Sequence, residues 1–220
     1  MFIGLLASWR VRSTFSRFSK VGSSSGLTGA EAAQQILRHS GIHDVEVIPV
    51  EGTLTDHYDP TRKKLALSQG VYESSSVAAL GVAAHECGHA LQHQMAYAPL
   101  HARMGLVKVQ GIATQMVMWL PMVGMFFQMI TPKAFFFLLA AGWGAIMAFN
   151  LITLPVEFDA SKRAEVVLGK LGVIRSEEEA AGVHRVLQAA GWTYVAAFIT
   201  SFAYFLFYLL PLLTGGRRSD

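Results

Sequence analysis

The chain has 220 residues, a mean hydropathy of +0.38, 52% hydrophobic and 15% charged residues, and a formal net charge of +3. That balance is too apolar for an ordinary soluble domain, and the first half is too charged for the whole chain to lie in a membrane. The small positive excess needs no nucleic acid to explain it, and a single Cys excludes an intrachain disulfide, which fits a reducing compartment.

Met1 to Trp9 is apolar but too short to span a bilayer, and it lacks the charged start and the cleavage site of a signal peptide. Arg10, Arg12, Arg17 and Lys20 follow, interleaved with Val11, Phe15 and Phe18. Segment 1–20 reads either as a basic interfacial helix or as the tail of a longer span. A catalytic lobe is expected over 21–110. It opens with a Ser/Gly-rich linker from Val21 to Leu27, then a capping box, Thr28-Gly29-Ala30-Glu31, that starts a short helix ended by Gly41. Val45–Val50, Leu54–Tyr58 and Lys64–Leu67 are candidate strands, with Asp59-Pro60-Thr61-Arg62 as a turn.

Ser74-Ser75-Ser76 offers N-caps for the next helix, which carries His85-Glu86-Cys87-Gly88-His89 and ends before Pro99. Positions i and i+4 share a helix face, so the two imidazoles lie side by side as two ligands of a tetrahedral Zn²⁺. Glu86 borders that face and can act as general base toward water. HExxH also arises by chance. Here its flanks are Ala- and Gly-rich and nearly uncharged, and burying a His-Glu-His cluster without a function costs of order several kcal/mol. A small sheet just before such a helix suits an edge strand that pairs with extended peptide.

Three uncharged stretches follow: 24 residues between Lys108 and Lys133, 23 between Lys133 and Glu157, and 31 between Arg185 and Arg217. Each exceeds the roughly 20 residues a helix needs to cross a bilayer. The expected plan is a transmembrane hairpin over 111–155 (spans 112–130 and 134–155), a third-ligand helix and a connecting helix over 156–190, a third transmembrane helix over 191–214 with Trp192 and Tyr194 near one interface, and a polar tail over 215–220. Ser176-Glu177-Glu178-Glu179 reads as a second capping box. The fold class is mainly α: an integral membrane helical protein with a small α+β zincin-like lobe. The basic segments Arg10–Lys20, Arg62-Lys63-Lys64 and Lys162-Arg163 belong on the cytoplasmic side and Lys133 outside, which leaves Arg217 and Arg218 outside against the charge rule.

Two His leave the metal one protein ligand short. Glu157 is the first charge after the second span, on the side to which two crossings return the chain. On a helix starting near Val156 it shares a face with Ala160, Ser161 and Ala164, whereas the competitor Asp159 points about 200° away. Ser161 is then placed to orient Glu157 or a ligating His. His57 and Tyr58, on or beside the proposed substrate strand, can stabilise an oxyanion or serve only as surface residues near a turn. His93 continues the histidine stripe, but about 12 Å from His85 it is too far to share the metal. Cys87 reads as packing, His101 and His184 as surface residues, and Met116, Met118, Met122 and Met125 as membrane packing.

Through Arg12-Ser13-Thr14-Phe15, Ser23-Ser24-Ser25-Gly26, the Thr28 capping box, Leu54-Thr55-Asp56-His57-Tyr58-Asp59-Pro60, the His85 motif and Leu154 to Ala164, the chain resembles the YugP-type neutral zinc metallopeptidases of bacterial membranes. Family members usually begin with a longer hydrophobic segment, which points to a shortened N-terminus here. A more distant similarity is to HtpX-like and CAAX-protease-like gluzincins. Their Glu-x-x-Ala-Asp motif is matched by Glu157 and Ala160, but Ser161 stands in place of the Asp. The resemblance implies one Zn²⁺, peptide or membrane-protein substrates, and an inner-membrane location with the site on the cytoplasmic side. A non-hydrolytic zinc-binding adaptor is the rival from another class. It would keep His85, His89 and Glu157 but has no need of Glu86.

Overall fold

A computed structural model describes the chain over residues 2–127 and 130–214. Gln128 and Met129 at the end of the first predicted span, and the predicted tail 215–220 with Arg217 and Arg218, lie outside the described residues, as does the side chain of Met125. The order is α1 (Phe2–Phe18), α2 (Gly29–His39), β1 (Glu46–Val50), β2 (His57–Asp59), β3 (Lys64–Ser68), α3 (Gln69–Tyr72), α4 (Val77–Gln94), α5 (Ala98–Phe127), α6 (Pro132–Lys170) and α7 (Glu177–Thr214). The protein is mainly α with one small sheet, as expected.

Helix α2 starts at the expected capping box: the Thr28 hydroxyl accepts from Glu31 N at 3.2 Å, and the Glu31 carboxylate accepts from Thr28 N at 2.8 Å. The second expected box is only half made. Ser176 Oγ accepts from Glu179 N, but the Glu179 carboxylate turns instead to Arg175 N and to Ser24 N at 2.6 Å, tying the start of α7 to the linker after α1. Satisfying a backbone donor from a distant loop outcompetes the local return bond.

The sheet order is β1-β3-β2, with β1 and β3 parallel and β2 and β3 antiparallel, so β2 is an edge. The Asp59 carboxylate accepts from Thr61 N and Arg62 N, which closes the predicted turn. The expected strand Leu54–Tyr58 is displaced to His57–Asp59. Leu54 sits at φ 57, a left-handed conformation that ends an extended run, and the Asp56 carboxylate takes Ser68 N at 2.7 Å in place of a ladder bond.

Helices α5, α6 and α7 are each long and apolar enough to cross a membrane. Their exposed faces carry Met118, Trp119, Phe137, Leu151, Phe202 and Phe207, a surface suited to lipid. The polar helices expected beyond the spans are continuous with them. In particular, α6 runs unbroken through Pro155, so Glu157 stands within α6 and not near the start of a new helix at Val156. Proline costs one backbone hydrogen bond there, and the flanking packing carries the helix through. Helix α1 packs against α7 beside Gly182, whose missing side chain admits Phe18 and Val77. The core joins α2, β3, α4, α6 and α7 through Ile36, Leu67, Leu80, Ala164 and Leu187.

Candidate active site

Helix α4 is Ala- and Gly-rich because it is packed almost all round: Ala79, Leu80, Ala83, Ala84 and Cys87 are fully buried. Cys87 Sγ faces the Ala33 carbonyl at 3.6 Å, in the packing role expected of it. At Gly88 the backbone of α6 comes so close that a Cβ would lie 2.5 Å from the Ala160 carbonyl oxygen. Ala160 and Ala164, both fully buried on α6, complete this small-residue crossing. It carries Glu157, one turn before Ala160, into the face that bears His85 and His89.

There the three expected ligand groups converge. Glu157 Oε2 lies 3.2 Å from His85 Nε2 and 3.5 Å from His89 Nε2, and the two rings stand edge to face with centroids 4.8 Å apart. All three ligand atoms fall within 4.8 Å of one another. The outer ring nitrogens are engaged: His85 Nδ1 meets Ser161 Oγ at 3.1 Å, and His89 Nδ1 meets Gln92 Oε1 at 3.0 Å. Gln92 is itself oriented, because its amide nitrogen donates to the Val156 carbonyl and to Asp159 Oδ2, both at 2.8 Å. The Gln92 oxygen is therefore placed to receive the proton of His89 Nδ1, the arrangement in which a neutral ring turns its Nε2 lone pair to a metal. Ser161 can do the same for His85.

The two Nε2 atoms and a carboxylate oxygen then face one point, with His85 Nε2 within hydrogen-bond reach of Glu157 Oε2. Glu157 is 2% exposed, and its other oxygen, Oε1, accepts no hydrogen bond among the described residues, although Arg103 Nη1 stands 3.0 Å away. A converging His₂Glu donor set around a buried carboxylate, with a free fourth direction, fits Zn²⁺.

Asp159 is directed elsewhere, into its ion pair with Arg163 and its contact with Gln92. His93 is outside the cluster: its Nδ1 meets the Tyr58 hydroxyl at 2.9 Å, and burial pushes that phenol up to about 12. His57 lines the cleft with its Nδ1 on the Thr55 carbonyl. His101 is exposed, as expected, with its ring tilted beside that of His93 at 6.1 Å, and His184 is an exposed partner of Glu165.

A cleft lies over the cluster in two halves, of about 230 and 620 Å³, which share Asp56, His85, Glu86, Glu157 and Tyr194. Glu86, 8% exposed, faces both. Asp56 is held by Ser68, and burial, offset by those two donors, keeps its carboxyl above the usual range.

The family model described as "Putative neutral zinc metallopeptidase" matches residues 1–213. The chain belongs to this family. It is 45% identical over 209 residues to the "Putative membrane protease YugP" of Bacillus subtilis (strain 168), covering 95% of this chain and 91% of that relative. No solved structure matches.

Sequence reasoning missed four residues of this family member's site. Gln92 was accessible, since i+3 from His89 on a helix is a neighbour. Tyr194 reads in sequence as an interface anchor and Asp56 as strand, and Arg103 does not stand out at all. Only the packing of α5, α7 and β2 over α4 brings them to the cleft.

Proposed function

We propose that the chain is a membrane-embedded zinc endopeptidase of gluzincin type, with a single Zn²⁺ held by His85, His89 and Glu157 and with Glu86 as its catalytic base. The observation that carries this reading is the convergence of His85 Nε2, His89 Nε2 and Glu157 Oε2 beside a cleft that Glu86 also lines. A Zn²⁺ ion bound there supplies Lewis acidity toward a carbonyl and lowers the pKa of water. Glu86 takes the proton of the attacking water on its carboxylate and delivers it to the leaving nitrogen. Gln92 and Ser161 fix the two ring orientations, and Arg103 holds Glu157 from behind. The edge of β2 offers main-chain pairing to an extended peptide that crosses the cleft. Tyr194, which lines both halves of the cleft, is the donor we assign to the developing oxyanion.

Membrane embedding is supported by the three apolar helices and by the membrane protease name of the relative. The basic segments Arg62-Lys63-Lys64 and Lys162-Arg163 support, by the positive-inside rule, a site on the cytoplasmic face of a bacterial cell membrane. The deciding experiment is Glu86→Gln. The variant should keep one zinc per chain, by elemental analysis of purified protein, and lose cleavage of a peptide library. A fully active variant would overturn the mechanism, and zinc without activity in the wild type would favour the adaptor reading.

A further inference from the structure

The two halves of the cleft differ in chemistry as well as in size. The smaller is walled by Val82 of α4, Leu54 before β2, Val11 of α1, and Val186, Leu187 and Ala190 of α7, and no Lys or Arg lines it among the described residues. The larger carries Arg103 and Lys108. Resting on the peptidase reading, we propose that the smaller half is a specificity pocket that takes one uncharged aliphatic or aromatic side chain, from a residue flanking the scissile bond.

Three observations support this. The first is position. Val82 lies three and four residues before His85 and Glu86 on α4, so the apolar wall begins about 5–6 Å along the helix axis from the reacting groups. A side chain next to the scissile bond is the one that reaches it. The second is capacity. A volume of about 230 Å³ exceeds the about 150 Å³ apolar cavity that admits benzene, so a Leu, Met or Phe side chain fits. The third is charge. Of the acids on the shared floor, Asp56 is held by Ser68 and Glu157 by the histidines and Arg103, and Glu86 faces the reacting groups in the peptidase reading, so a Lys or Arg side chain running out among the Val, Leu and Ala walls has no acid there to pair with. The shape is also held: Leu54, at φ 57, is followed by Thr55, whose hydroxyl donates to the Glu51 carbonyl, and by the Ser68-bound Asp56, and Val11 is brought in by the packing of α1 on α7.

The test uses the full-length, zinc-loaded protein in detergent with a degenerate synthetic peptide library, the cut sites being read by mass spectrometry. One subsite adjacent to the cut should favour Leu, Ile, Met and Phe over charged residues by about 10- to 200-fold. Ala190→Phe fills the pocket and should shift that subsite toward Ala and Gly. Val82→Ala widens it and should shift it toward Phe and Trp. Both should keep one zinc per chain. Peptides that bind Glu86→Gln protein, measured by fluorescence anisotropy, should rank in the same order without turnover. Cleavage with no apolar enrichment, with Lys or Arg enrichment, or with a profile that neither variant moves would overturn the pocket while leaving the peptidase reading intact. No cleavage by the zinc-loaded wild type would overturn the peptidase reading itself.

Discussion

Gly88 is the position where the fold and the metal site meet, and Gly88→Ala tests their coupling. In an isolated helix this change is stabilising by about 1 kcal/mol. Here the new methyl would sit 2.5 Å from the Ala160 carbonyl oxygen, 3.0 Å from its Cα and 3.1 Å from its carbonyl carbon. All three are backbone atoms, so no rotamer change relieves the contact. Helices α4 and α6 must separate by about half an ångström or more, and overpacking of this kind costs about 1–3 kcal/mol, enough to reverse the propensity gain. The same movement carries Glu157, three residues before Ala160, away from His85 and His89. Metal–ligand distances tolerate only about 0.2 Å, so the ligand set is spoiled along with the packing. The expected outcome is a lower melting temperature for the metal-free variant and zinc affinity weakened at least about 10-fold, the scale on which misdirected ligands act. Thermal melts of detergent-purified protein and chelator competition measure the two. A variant as stable as wild type, with unchanged zinc affinity, would refute the close crossing as the device that builds the site.

Three further outcomes follow from the same geometry. Ser161→Ala and Gln92→Leu each free a ring nitrogen and should weaken zinc binding about 10- to 100-fold in chelator competition; a silent Ser161→Ala would reduce that hydroxyl to a packing group. Glu157→Ala should abolish stoichiometric zinc, whereas Asp159→Asn, which keeps an acceptor for Gln92, should leave one zinc per chain; the reverse pattern in elemental analysis would exchange the two carboxylates. Single-cysteine labelling at positions 64 and 133, in a background with Cys87 replaced, should report opposite sides of the membrane, and labelling from one side would remove the hairpin between α5 and α6.

The lines of this protein that can be read from sequence are those governed by local periodicity. An i,i+4 histidine pair, a capping box at Thr28 and uncharged runs longer than a bilayer depend only on residues close along the chain. Glu157 was reachable as a candidate because two crossings return the chain to one side, a constraint of topology that needs no coordinates. Its helix was not reachable in its true extent, since Pro155 signals a break that packing overrides. The strand at His57–Asp59 was misplaced because its register is set by a side-chain bond from Asp56 to Ser68, twelve residues on. Arg103 carries no local signal, and the signals of Tyr194 and Asp56, an interface anchor and a strand, say nothing of the cleft. Their place over the motif helix comes from how α5, α7 and β2 close around it, and the energy of that closure lies in contacts between residues far apart in the chain, at distances no sequence pattern encodes.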